Sequence, residues 1–206
     1  MSLVLEFSIF DFENELYLQK CGTAMGTKMA PTYANCFMGE VEETFMKSQH
    51  YKPFGYKRFL DDIFMIWLHV REKLETFINH FNNISPELRF THEICTNSIN
   101  FLDVTVIIDN NNNNNIWTTL FRKPTDSPQY LGFDSMHPQH SINAVPYAQA
   151  MRISRVCSTE ESMHENLDNL RSRFAQCKFP AQIINDAIEK ISTRAINSEQ
   201  TDALQN

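Results

Sequence analysis

The stretch YKRFLDDIFMIW (residues 56–67) sets two adjacent aspartates, Asp61 and Asp62, inside a run of aromatic and aliphatic residues. Neighbouring carboxylates repel, and burial raises the cost of ionising either one. One continuous core strand does not accommodate them. Two short strands joined through the pair do, so the stretch reads as a tight antiparallel hairpin with its carboxylates at the turn. Such a pair is either a polar turn between apolar strands or a set of hard oxygen ligands for Mg²⁺, with phosphates completing the shell.

Towards the N-terminus, residues 3–10 and 16–21 read as the arms of a first hairpin, with the polar DFENE (residues 11–15) as its turn. Residues 22–31, GTAMGTKMAP, are punctuated by glycine and read as a loop. Pro31 suits the first turn of a helix. Tyr33, Phe37, Val41 and Phe45 then recur every four residues, with Ala34 and Met38 beside them, which predicts one apolar helical face.

Towards the C-terminus, Leu74, Phe77, Ile78 and Phe81 predict a second amphipathic helix over 71–82, closed before Pro86. ELRFTHEI (87–94), INFLDVTVII (99–108) and IWTTLFRK (116–123) read as strands, and the six asparagines Asn110 to Asn115 as a slack hairpin loop. The pattern then turns helical. VPYAQAMRISRVC (145–157) predicts one helix. Ser158 with Glu161 forms a capping-box pattern that opens another, carrying the apolar stripe Met163, Leu167, Leu170, Phe174 and Cys177. Pro180 starts a third, with Ile183, Ile184, Ala187, Ile188 and Ile191 inward. The expected class is α+β: a sheet-plus-helix part over 1–130, a small helical part over 131–195 and a frayed tail over 196–206.

With 42% hydrophobic and 12% aromatic residues the chain can build a core. No apolar run reaches membrane-spanning length, and the first residues lack the pattern of a signal peptide, so an intracellular protein, nuclear or cytoplasmic, is expected. Five scattered cysteines without a C-x-x-C pair argue against a disulfide framework and a zinc site, and predict reduced, mostly buried thiols. Net charge is −7, which excludes nucleic-acid binding through bulk positive charge. Residues 47–60 nevertheless carry Lys47, Lys52, Lys57 and Arg58 with no acid, just before the aspartate pair.

In the glycine loop, Gly22 and Gly26 would allow close approach to a ligand, with Thr23, Thr27 and Lys28 able to touch phosphate or sugar. The loop does not match G-x-x-x-x-G-K-[ST]. His137 and His140 flank Pro138 without a partner pair at ligand spacing, a poor zinc site. Asp103 shares a strand face with Phe101 and Thr105 and carries no catalytic assignment.

YLQKCGTAMGTKMAPTYANCFMGEVE (17–42) followed by YKRFLDDIFMIW resembles the reverse transcriptase palm, most closely that of the Penelope-like retroelements. FLDVTV (101–106), FRKPTDSPQYL (121–131), SMHPQHSINAVPYAQAMRISRVCS (135–158) and FAQCKFPAQII (174–184) resemble further runs of that family in the same order. The resemblance implies a partial polymerase palm, an antiparallel sheet with packed helices, followed by a thumb-like or helix-turn-helix-like segment. It casts Asp61 and Asp62 as catalytic ligands of Mg²⁺ in a two-metal site. It casts Gly22, Gly26, Pro31 and Asn35 as the template and nucleotide loop-helix, and Lys57, Arg58, Arg122 and Lys123 as contacts to the nucleic-acid backbone. Partners would be an RNA or DNA template–primer and deoxynucleotides, with no membrane. The family's palm has a further acidic strand well upstream of the glycine loop. Here Asp11, in a polar turn, is the nearest candidate, so the expectation is a polymerase fragment that is catalytically incomplete alone. The alternative is a non-enzymatic nucleic-acid-binding or interaction module derived from such an element. A metal-dependent nuclease using the same pair is a third reading.

Overall fold

The structure is a computed structural model that describes residues 6–24, 26–109, 115–125 and 130–203, except the side chains of residue 192 and of those from 194 onward. It is mixed α+β, with three small antiparallel sheets and five helices among the described residues. The chain forms two compact units, residues 1–92 and 93–206.

The first unit opens with β1 (Ile9–Phe12) paired to β2 (Glu15–Leu18). Glu13 and Asn14 make the turn, both at positive φ (54° and 64°), the backbone sign of the two-residue turns that match strand twist. The hairpin is as expected, but Asp11 lies in β1, opposite Leu16, rather than in the turn. Helix α1 (Ala30–Ser48) follows, with Pro31 in its first turn. Its expected apolar face is only half used. Met38 and Phe45 are buried, whereas Tyr33 and Phe37 stay exposed. The reason is length: the C-terminal half of α1 meets α2 (Arg71–Asn82), where Phe45 packs against Phe77 and Phe81 at 5.0 and 4.6 Å between ring centroids.

Helix α2 has the predicted bounds, and Leu74, Phe77, Ile78 and Phe81 are all buried. Burial of this kind stabilises by about 1.5–3 kcal/mol per side chain. Residues 87–94, expected as a strand, form none. The side chain of Asn82 replaces a neighbouring strand: its amide donates to the Phe90 carbonyl and its oxygen accepts from the Phe90 N–H. Phe90 then stacks on Phe81, 4.4 Å apart and nearly parallel.

In the second unit the order of strands is β5-β6-β7, with β5 (Ser98–Phe101), β6 (Val104–Asp109) and β7 (Asn115–Leu120) all antiparallel. The segment 99–108, expected as one strand, therefore bends at Leu102–Asp103 into two. The asparagine loop falls outside the described residues, apart from Asn115 at the start of β7. Helices α3 (Gln139–Val156), α4 (Glu160–Gln176) and α5 (Ala181–Ala203) bury Ile142, Ala150, Ile153, Leu167, Leu170, Phe174, Phe179, Ile184, Ile188 and Ile191 in one cluster. The stripe expected on α4 is thus inward-facing, with Met163 and Cys177 at its edge.

Helix α3 begins six residues before the predicted start, because the Pro138 carbonyl accepts from both Ser141 and Ile142 and sets the first turn. Pro146 lies inside the helix, fully buried, where it removes one helical hydrogen bond. The cap of α4 is Thr159, whose hydroxyl accepts from the Ser162 N–H at 3.3 Å. The expected cap, Ser158, instead accepts from the N–H of Thr118 on β7. Thr119 is held in turn by Ser162 and Asn166, so the outer edge of β7 is closed by side chains of α4. This packing places the sheet with the helices in one unit, while the change from strands to helices in chain order falls near residue 130. Helix α5 continues to Ala203, past the position where fraying was expected.

Helix α4 ends with Lys178 at φ +63°. The Lys178 N–H donates to Ala175 and the Phe179 N–H to Phe174, which satisfies the last carbonyls and turns the chain into α5. All five cysteines are free as expected, but Cys21, Cys36 and Cys95 are exposed and the other two only partly buried. Cys36 lies on α1, and Cys21 and Cys95 lie outside the helices and strands, so their exposure is a matter of tertiary packing rather than local pattern.

Candidate functional site

The aspartate pair sits on a two-stranded hairpin. β3 (Gly55–Phe59) pairs with β4 (Asp62–Ile66) so that Phe59 faces Asp62, and Leu60 and Asp61 alone make the turn. Leu60 adopts φ +52°, an unusual choice for a leucine and a real cost where glycine or asparagine would sit easily. Both carboxylates are exposed.

Side chains alternate along β3. Tyr56 and Arg58 point to α1, and Lys57 and Phe59 to the other face, where both are exposed. Because cross-strand partners share a face, Asp62 lies with Phe59, and Asp61 projects from the tip. The α1 side is a polar knot. Arg58 Nε meets Glu42 Oε1 at 2.6 Å, with the two side chains only 12% and 14% exposed. Tyr56 donates its hydroxyl proton to the same Glu42 oxygen at 2.6 Å. Arg58 Nη1 donates to Asn35 Oδ1 at 2.7 Å and to the Leu60 carbonyl at 2.8 Å. Glu42 and Asn35 are seven residues apart, hence on one face of α1. Burial, and then the hydrogen bond to Glu42, push the Tyr56 phenol well above its ordinary value. The bond to Leu60 is the one that reaches the acidic turn.

Asn35 and Arg58 meet, but the donors of Arg58 are turned inward to Glu42, Asn35 and Leu60 rather than outward to a phosphate. Lys57 is exposed beside Phe59. Gly22 (φ +76°) and Gly26 (φ +91°) both need the left-handed backbone that glycine tolerates, and Thr27 closes their loop by donating to the Ala24 carbonyl at 3.0 Å. Arg122 and Lys123 belong to the second unit, just past β7. Arg122 donates to the Tyr130 hydroxyl at 3.3 Å, and Lys123 is exposed. His137 and His140 are exposed at the start of α3.

Mg²⁺ is commonly held by one or two carboxylates with phosphates and waters in the remaining positions. Asp61 and Asp62 are two adjacent, exposed carboxylates of that chemistry. Among the described residues no group of three carboxylate, imidazole or thiol side chains comes together as a metal cluster.

Residue-by-residue reading missed a repetition. Phe-Leu-Asp occurs at 59–61 and again at 101–103. The second copy makes the same two-residue turn, with Phe101 facing Val104 and Leu102 at φ +55°. An arginine holds each turn, though differently: Arg58 through the Leu60 carbonyl, and Arg152 through the Asp103 carboxylate at 2.6 Å. The repeated tripeptide was the available signal.

Residues 129–189 match the family model of the animal helix-turn-helix domain. The match spans α3, α4, the Lys178 turn and the first part of α5, so the C-terminal part of the chain is a helix-turn-helix-type domain and points to nucleic-acid binding. No curated protein and no solved structure matches the chain. No helix among the described residues is long and apolar enough to cross a membrane.

Proposed function

We propose that the chain is the palm and thumb-like portion of a Penelope-like RNA-directed DNA polymerase. The observation that carries this reading is the hairpin, anchored to α1, that presents Asp61 in its two-residue turn and Asp62 at the start of β4, both exposed. Mg²⁺ bound there supplies charge neutralisation and activation of a primer 3′-hydroxyl in the complete protein. The chain's own residues do the rest. Asp61 and Asp62 present the oxygens. The Gly22–Gly26 loop and the start of α1 at Pro31 offer close backbone approach to template and deoxynucleotide. Lys57 and, in the second unit, Lys123 and Arg122 contact phosphates. Arg58 and Asn35 act from behind, by fixing the turn.

Two carboxylates alone lack the pre-organised charge on which phosphoryl transfer depends, so the isolated chain is expected to bind a template–primer without extending it. A second reading, a non-enzymatic nucleic-acid-binding module derived from such an element, draws on the helix-turn-helix match. Fluorescence anisotropy with a labelled template–primer separates the two. The polymerase reading expects affinity that rises with Mg²⁺ and deoxynucleotide, and loses that rise in the Asp61→Asn, Asp62→Asn double variant. Salt-dependent affinity indifferent to Mg²⁺ in both proteins would favour the binding module.

A further inference from the structure

We infer that a second contact surface for single-stranded nucleic acid lies at the end of the β3–β4 hairpin opposite the acidic turn, built from Tyr51, His69, Lys52, Lys57 and Lys73. Two connecting segments meet there, residues 49–54 before β3 and 67–70 after β4. The hairpin itself brings them together: the Phe54 N–H donates to the Ile66 carbonyl at 2.8 Å, and His69 Nε2 lies 3.2 Å from the Lys52 carbonyl oxygen.

Aromatic rings run without a break from the core to this surface. Phe45 and Phe77 are buried, and Phe77 lies 5.2 Å from Trp67. Trp67 meets His69 at 5.3 Å, His69 meets Tyr51 at 5.3 Å, and Tyr51 meets His50 at 4.8 Å. The outer members are open to solvent: Tyr51 is 39% exposed, the two histidines are exposed, and nearby Phe54 is 76% exposed. Rings braced edge-on by other rings lose little freedom when a base stacks on them.

Along residues 47–60 the charge is one-sided, while α2 adds the exposed Glu72 next to Lys73. Residues 47–60 contain no acid. Lys47 and Arg71 are neutralised by Glu43 and Glu75 on their own helices, whereas Lys52 and Lys57 have no carboxylate partner among the described residues. The Lys73 ammonium sits 5.0 Å from the centre of the Tyr51 ring. Anchored aromatics interleaved with unpaired lysines, and no base-edge readers, are the means by which proteins hold a single strand whatever its sequence. Lys57 continues the line along the exposed face of β3 towards Asp62. The five-residue strand separates the two ends by about 17 Å at roughly 3.3 Å per residue. The surface requires no metal, so it stands or falls apart from the metal reading of the aspartates.

The test is the affinity of the full chain for a labelled single-stranded oligonucleotide without divalent ions, across a salt series. Tyr51→Leu is expected to weaken binding roughly ten- to a hundredfold, the loss typical of one stacked base. Tyr51→Phe keeps the ring and is expected to bind like the unaltered chain. Lys52→Gln with Lys57→Gln removes two phosphate contacts and is expected to reduce the slope of log affinity against log salt by about 1.4, at about 0.7 per phosphate. Unchanged affinity in Tyr51→Leu, or an unchanged salt slope in the lysine variant, with circular dichroism of the unaltered chain, would overturn the proposal. Self-association that Phe54→Ser abolishes, without strand binding, would overturn it too and make the surface a protein contact.

Discussion

Replacing Arg58 by methionine leaves Glu42 behind α1 without its cation. Removing one partner of a buried ion pair costs about 3–5 kcal/mol, since the remaining charge stays desolvated. Both side chains here keep a little exposure, 12% and 14%, and Tyr56 still donates to Glu42. The expected loss therefore falls below that range, at about 2–3 kcal/mol, to which the bond to the Leu60 carbonyl contributes about 1. Adding Glu42→Leu should recover only part of that loss, because it removes the stranded charge but leaves the Tyr56 hydroxyl and the Leu60 carbonyl without these partners. The assay is urea unfolding of the first unit followed by Trp67 fluorescence, in a Trp117→Phe background that silences the second unit. A cost in Arg58→Met below about 1 kcal/mol, or a double variant as unstable as the sum of the singles, would refute the claim that Arg58 works inward. A phosphate-contacting Arg58 would instead leave stability unchanged and lower the salt slope of binding.

The Tyr56 phenol is held above its ordinary value of 10.0 by burial and by Glu42. A raised folded-state value means that ionisation favours the unfolded chain, so this contribution is complete below about pH 10 and declines as pH rises beyond it. Ultraviolet titration should show Tyr56 ionising only well above the ordinary phenol range, and Tyr56→Phe should flatten the alkaline loss of stability. In the second unit, Phe174 is fully buried between Tyr130 and Phe179, and Phe174→Ala is expected to cost about 3–5 kcal/mol in urea unfolding followed by Trp117. An aromatic thiol reagent should titrate three of the five cysteines rapidly in the folded chain, Cys21, Cys36 and Cys95, and the other two only slowly.

Much of this fold was legible because local pattern and packing agree. Leu74, Phe77, Ile78 and Phe81 gave α2 its bounds, and the two aspartates marked the turn between β3 and β4. Pattern failed where the deciding partner was distant in sequence or was a side chain. Asn82 satisfies Phe90 in place of a strand, so residues 87–94 look extended without a sheet to join. Leu102 accepts a left-handed φ that its residue type argues against, which hid the second hairpin. Pro146 reads as a helix start, yet the Pro138 carbonyl opens α3 earlier. The aspartate pair marked the β3–β4 hairpin, although only Asp61 lies in its turn and Asp62 opens β4, and the sequence could not show that Arg58 is spent on Glu42, sixteen residues away.

The most direct test of the metal role of the hairpin is an electron paramagnetic resonance titration of Mn²⁺ into the full chain with template–primer and deoxynucleotide. The free-ion signal should fall as Mn²⁺ binds, and Asp61→Asn, Asp62→Asn should restore it while nucleic-acid binding persists. Equal free Mn²⁺ in both proteins at every concentration would contradict a metal-holding hairpin and leave Asp61 and Asp62 as a polar turn.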